Sequence, residues 1–175
     1  MTFSAIPGRP VRRRVPAALP VFLSALLCAG ACGAQNDDSR LKAAYIFNIA
    51  QFTTWPQPSA RPLSVCASPA HSVWTGLREL DGKAAGGRAF NVVDSAAGKP
   101  CDVIVYSAAA APGVPPALPA GTLTIVDGAR AGHYGGAVTL IEEDPHLRFD
   151  IDTREAARNG LKFSSRLLQL ARNVL

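Results

Sequence analysis

Two short runs of branched apolar residues constrain this chain more than any other feature. Asp102-Val103-Ile104-Val105-Tyr106 follows a charge, and Leu123-Thr124-Ile125-Val126 is closed by Asp127-Gly128. Neither shows the strict apolar–polar alternation of a strand with one wet face. A continuous run of this kind reads as a strand buried on both faces. Residues 63–66 and 88–93 read as further strands. Residues 137–141 and 147–151 flank Glu142-Glu143-Asp144-Pro145 and read as a hairpin with a polar, solvated turn. Helical patterns lie between these strands, which predicts an α/β fold: a single domain with a central mixed sheet flanked by helices.

The helices are marked by spacing and by caps. Over residues 41–52, Leu41, Ala44, Tyr45, Asn48, Ile49 and Phe52 share one face, and Trp55-Pro56 ends the helix. The polar residues 35–40 before it read as a frayed start. A short helix over 73–80 has Ser72 as its N-cap. Asp152 caps another, with Glu155 three residues on in a capping-box pattern, and Gly160 closes it in the C′ position. Ser164 opens the last helix, in which Leu167, Leu168, Ala171, Val174 and Leu175 lie along one face. Residues 108–120 are rich in Ala, Gly and Pro and read as a loop.

The first 34 residues read as an address. Arg12-Arg13-Arg14 precede an uncharged run centred on Val21-Phe22-Leu23-Ser24-Ala25-Leu26-Leu27, and small residues follow. That is the layout of a secretory signal peptide, with cleavage expected after Ala34. The apolar part falls short of the about 20 residues of a membrane span, although an uncleaved anchor is the alternative. Lipidation at Cys32 is a third reading; Ala29 stands three residues before it. In each case residues 40–175 form the folded domain, outside the cytoplasm. The chain carries 18 Lys and Arg against 13 Asp and Glu, a net +5. Four of those arginines, Arg9 and Arg12 to Arg14, lie in the first 34 residues, where no acid does. The rest is close to neutral, which argues against a nucleic-acid-binding surface. A hydrophobic fraction of 48% argues against disorder.

Cys28 and Cys32 belong to the leader, so Cys66 and Cys101 remain. Two cysteines in an exported chain read as a disulfide, the alternative being two buried thiols. A loop of about 35 residues would give such a bond about 3–4 kcal/mol.

Catalytic chemistry is hard to find. His71, His133 and His146 are far apart, and none has a metal-ligand neighbour at helical spacing. There is no Gly-x-Ser-x-Gly elbow and no phosphate-cradling loop. Cys66 and Cys101 lack the close spacing of a redox-catalytic pair. No catalytic, metal or cofactor site is expected, and a binding or regulatory role gains weight.

Two long motifs then carry a resemblance. One runs Leu41-Lys42-Ala43-Ala44-Tyr45-Ile46-Phe47-Asn48-Ile49-Ala50-Gln51-Phe52-Thr53-Thr54-Trp55-Pro56. The other runs from Leu147-Arg148-Phe149-Asp150-Ile151-Asp152 through Gly160-Leu161 and Ser164-Ser165 to Leu167-Leu168-Gln169-Leu170-Ala171. With Leu63 to Cys66, Cys101 to Ile104, Thr122 to Asp127 and Gly135-Gly136 between them, they resemble the YfiR family of YfiR/HmsC-like periplasmic proteins. Asp152 stands where Asn is usual, and it caps equally well. The resemblance implies an exported α/β domain without catalytic activity. It further implies repression of an inner-membrane diguanylate cyclase from the periplasmic side, which lowers cyclic-di-GMP and biofilm formation. Cys66 and Cys101 match cysteine positions carried by many members. The second pair that some members carry is absent, so redox control through it is not expected.

Two other readings stand beside this one. The first is a periplasmic small-molecule receptor with ligand at the carboxyl ends of the strands, and the second an enzyme of unrecognised type. A partner surface is suggested by the first helix. Ala43, Ile46, Phe47 and Ala50 fall opposite its main face and are also uncharged. Either that side is buried, or Ile46 and Phe47 meet a partner, which would be a second copy in a homodimer or the membrane protein.

Overall fold

A computed structural model of the chain describes residues 1–2, 31–57, 59–109, 118–128, 135–143 and 146–175, with residues 31–36 described for the backbone alone. Most of the first 34 residues, where a leader is expected, the centre of the 108–120 loop, His133 and Asp144 lie outside the described residues. The cleavage expected after Ala34 and the lipidation considered at Cys32 rest on side chains outside them too.

The chain opens with helix α1 (Ala31–Gln51) and strand β1 (Thr53–Thr54). The sheet strands follow as β2 (Leu63–Ala67), β3 (Ala84–Ala85), β4 (Arg88–Asp94), β5 (Val103–Ser107) and β6 (Leu123–Asp127), with helix α2 (Trp74–Arg78) after β2. The hairpin β7 (Val138–Glu143) and β8 (His146–Ile151) comes next. Helix α3 (Thr153–Arg158), β9 (Lys162–Phe163), α4 (Ser165–Leu170) and β10 (Asn173–Val174) complete the chain.

Eight strands form one sheet in the order β10-β8-β7-β6-β5-β2-β4-β3, while β1 and β9 pair separately. From β4 to β7 all neighbours are parallel; β3 on one side and β8 on the other are antiparallel to theirs. The sheet is mixed, as expected. Its parallel part starts at β2, steps out to β4, and then returns to β5, β6 and β7 on the other flank. The chain thus reverses direction across the sheet between β2 and β5.

Register decides which residues share a face. Val65 lies opposite Val103, Val103 opposite Leu123, Ile125 opposite Val138, and Val138 opposite Ile151. Alternate residues along each strand join them, so Leu63, Val105, Leu140 and Phe149 belong to the same face. All are buried in one core cluster with Ala43, Ile46, Ile49 and Ala50 of α1.

That cluster corrects the reading of the first helix. Its buried residues are Ser39, Lys42, Ala43, Ile46, Ile49 and Ala50, whereas Leu41 is 46% exposed and Asn48 faces solvent. Ile46 is 0% exposed and belongs to the core, so it is not offered to a partner. Phe47 is half-buried with its ring 5.3 Å from that of Phe90. Both sides of the helix are apolar, so periodicity could not choose between them. The choice went to the side that also carries Lys42, because Lys42 finds carboxylates inside. Residues 37–40 are not frayed either. Asp38 pairs with Lys42 one turn on, Ser39 Oγ accepts the Gly76 N–H at 3.0 Å, and Arg40 grips the Glu79 carboxylate. These contacts extend the helix N-terminally beyond the expected start.

The caps follow local sequence with one exception. Asp152 accepts the N–H groups of Arg154 and Glu155, both at 2.9 Å. Its own N–H donates to Ala137, so the sheet takes the half of the capping box expected of Glu155. Gly160, at φ +72°, closes α3: its N–H donates to Ala157 and that of Leu161 to Ala156, a Schellman pair of bonds. Ser164 caps α4 through the Leu167 N–H. Ser72, by contrast, caps nothing. The residue before α2 is Val73, and its N–H is taken by Nδ1 of His71 at 3.2 Å.

The last helix is shorter than expected. It ends at Leu170, Ala171 is extended, and Val174 lies in β10 against β8. Arg172 and Asn173 both turn onto the fully buried Asp150 carboxylate, which forbids another helical turn.

Candidate functional site

Cys66 and Cys101 are joined in a disulfide with Cα atoms 5.8 Å apart, an ordinary separation. Cys66 lies in β2 on the face opposite Val65, and Cys101 stands two residues before β5. The bond therefore clamps the two strands between which the chain reverses.

Three buried aspartates organise the charges of the domain. Asp102, at the start of β5, receives Arg61, Arg88 and the Ser64 N–H. Asp150, in β8, receives Arg172, which also reaches Glu143. These contacts hold the Arg172 guanidinium above its ordinary value, the Asp150 bond first. Asp127, at the end of β6, faces Lys42 of α1 at 3.3 Å. Lys42 also pairs with Asp38 at 3.2 Å and with Glu142 of β7. Glu142 and Glu143 are exposed, as expected of a solvated turn, and each also pairs with a distant cation, Lys42 or Arg172.

Both members of the Lys42–Asp127 pair are raised, which favours the charged lysine but the neutral aspartic acid. Burial pulls Lys42 down, but the bond to Glu142 and the charges of Asp127 and Asp38 outweigh it and raise it. Burial raises Asp127, and Lys42 and His71 only partly offset this, with Glu142 repelling it. The physical reason is the stoichiometry: one ammonium serves three carboxylates.

His71 joins this cluster from the other side. Its side chain is 5% exposed and its Nε2 lies 3.9 Å from Asp127 Oδ2. Nδ1 is occupied by the Val73 N–H, so the proton of the neutral ring sits on Nε2. That Nε2 has no hydrogen-bond partner among the described residues. The ring forms part of the wall of a cleft of about 340 Å³, together with Ser68, Ala70, Ser95, Tyr106 and Ser107. Burial raises the Tyr106 phenol, which keeps it protonated. Ser68 to His71 follow β2, Ser95 follows β4, and Tyr106-Ser107 end β5. The cleft thus opens at the carboxyl ends of three adjacent parallel strands, at the point where strand order reverses, the usual ligand position in open α/β sheets.

A second hollow, of about 310 Å³, lies at the other end of the sheet beside Trp55, Arg61, Arg88 and Asp102. The Arg88 guanidinium sits 5.9 Å from the Trp55 ring centre and donates to the Arg61 and Pro62 carbonyls. Its cations are already satisfied by protein groups.

Sequence reasoning treated His71 only as an isolated histidine. The available signal was its position, four residues beyond a buried parallel strand. His146 is exposed at the start of β8. Among the described residues no three His, Cys, Asp or Glu side chains are grouped to hold a metal ion. No described helix is long and apolar enough to cross a membrane.

No curated protein matches the chain. The family model described as YfiR/HmsC-like matches residues 39–172. That span runs from the Ser39 contact on α2 to the Arg172 anchor of the tail, and so takes in every strand of the sheet but β10, the disulfide and the cleft. The chain therefore belongs to the YfiR/HmsC-like family.

Proposed function

We propose that this protein is an exported, non-catalytic regulator that binds the periplasmic part of an inner-membrane signalling protein, a diguanylate cyclase, and represses it. Cyclic-di-GMP and biofilm formation fall as a result. Family membership over residues 39–172 carries this reading. The Cys66–Cys101 bond supports it, because disulfides persist in oxidising compartments outside the cytoplasm. The test is cyclic-di-GMP measured in a strain lacking this protein, with the cyclase expressed. The level rises, and returns when the protein is supplied again. An unchanged level would overturn the reading.

A receptor role for a small molecule is favoured by one observation, the cleft at the carboxyl ends of β2, β4 and β5. It is compatible with repression, since a regulator at the membrane needs a signal to respond to.

A further inference from the structure

We propose that His71 is a pH-driven switch between two partners, the Val73 N–H when the ring is neutral and the Asp127 carboxylate when it is charged, and that the exchange resets the β2–α2 connection. The two ring nitrogens make incompatible demands. Nδ1 accepts the Val73 N–H at 3.2 Å, which only an unprotonated nitrogen can do. Nε2 then carries the proton. It is buried, stops 3.9 Å short of Asp127 Oδ2, and has no hydrogen-bond partner among the described residues. That gap exceeds hydrogen-bond distance, and the Val73 bond tethers the ring on the far side of it. A proton added at Nδ1 turns that atom from acceptor into donor, so the Val73 bond breaks. The ring, now a cation, is drawn across the gap, and a charge-assisted bond to Asp127 replaces a neutral one. Histidine is the side chain that changes charge between pH 5 and 8.

The surroundings favour the second position once the ring is charged. β6 supplies Asp127, α1 supplies Asp38 and Lys42, and β7 supplies Glu142, so three carboxylates share one ammonium. From β5, Tyr106 stands in the same cleft wall as a neutral phenol. Asp94, at the end of β4, spends its carboxylate on the Ala96 N–H, and Arg78, in the last turn of α2, pairs with Asp81. Burial raises Asp127, and the charges of Lys42 and of a protonated His71 both oppose that, so His71 and Asp127 favour each other's ionised form. The first position is held by local geometry instead. The His71 N–H donates to the Ser68 carbonyl and the Trp74 N–H to that of His71, which makes a tight turn. The Val73 bond ties the ring into this turn at the N-cap of α2. Losing it loosens the start of α2 and moves His71 and Ala70, which wall the cleft.

The switch is independent of the cyclase reading, since it is tested on purified protein and the other in cells. NMR of the full chain with its disulfide intact follows the His71 ring nitrogens and the Val73 amide from about pH 8 to about pH 5. At the upper end the ring is the Nε2–H tautomer and the Val73 amide is protected from exchange. As the ring protonates, Val73 protection, taken relative to an unfolded chain at the same pH, falls at least about tenfold. A slowly exchanging Nε2 proton appears over the same pH range. In His71→Asn the side-chain oxygen accepts the N–H two residues on without titrating, and Val73 stays protected throughout. Lys42→Met with Asp127→Asn removes the carboxylate without stranding a buried charge. That variant still releases Val73 in acid but shows no slow Nε2 proton. A ring that stays neutral down to about pH 5, Val73 protection that stays level while the ring protonates, the wild-type loss of protection in His71→Asn, or a slow Nε2 proton that survives without Asp127 would each overturn the proposal.

Discussion

At the residue scale, the balance rests on Lys42. Its side chain is 5% exposed, and it is the ammonium that faces the buried Asp127 carboxylate. Removing one member of a buried pair leaves the other charge uncompensated, at a cost of about 3–5 kcal/mol. Lys42→Met should therefore lose about that much at pH 7 in urea unfolding, and adding Asp127→Asn should recover half or more. A double variant as unstable as the single one would show that packing of the lysine stem, not charge, was lost. The pH dependence follows from the directions of the shifts. Lys42 is raised in the folded state, so its stabilisation is complete below its unfolded value of about 10.4 and is lost as pH climbs above it. Asp127 is also raised, so the stability linked to its protonation is present below about 3.9 and lost as pH rises through its folded value. Relative to wild type, Lys42→Met should show a flatter decline above pH 10. None of these pairings was legible in the sequence. Lys42 and Asp127 are 85 residues apart, Arg61 and Asp102 are 41, and Arg172 and Asp150 are 22. Ion pairs across such separations have no local pattern.

At the element scale, α2 shows how little space separates the helices. A Cβ on Gly76 would run into the backbone carbonyl of Ser39 on α1, which cannot swing aside as a side chain would. The Gly76 N–H also donates to Ser39 Oγ, so the close approach is bonded as well as bare. Gly76→Ala should cost about 1–3 kcal/mol by forcing the two helices apart, measured as a lowered urea midpoint with unchanged slope. No loss would mean that α2 sits loosely on α1. The glycine looked ordinary in sequence, because only the crossing of two helices makes its missing side chain matter. Strands and caps were more transparent. The branched runs at 103–107 and 123–127 are strands, and Asp152, Gly160 and Ser164 do what their types predict. Each of these signals acts within about half a dozen neighbouring residues. The last helix misled for the same reason: Val174 continued its stripe, but Asp150 claimed Arg172 and Asn173 first.

At the scale of the whole molecule, the disulfide and the reversal of strand order act together. Cys66 and Cys101 close a 35-residue separation across the β2–β5 boundary, and the cleft opens at the carboxyl ends of the same two strands. Replacing both by Ala should cost about 3–4 kcal/mol, read by unfolding without reductant against wild type with its disulfide intact. A loss shared by wild type on reduction would confirm the bond as the source, and an unchanged midpoint would show that strand pairing alone holds the boundary. The sequence by itself determined the α/β class, the places of the main strands, the caps at Asp152, Gly160 and Ser164 and the pairing of Cys66 with Cys101. Those follow from side-chain branching, hydrogen-bonding groups and counts within a few residues. Only the tertiary structure decided that Ile46 is core and Leu41 is wet. It also gathered Lys42 of α1, Asp127 of β6, Glu142 of β7 and His71 of the loop after β2 around one buried ammonium. The physical reason is that a helix apolar all round has no preferred face until a sheet is laid against it. Likewise a charge can enter the interior only where register and crossover bring its partner.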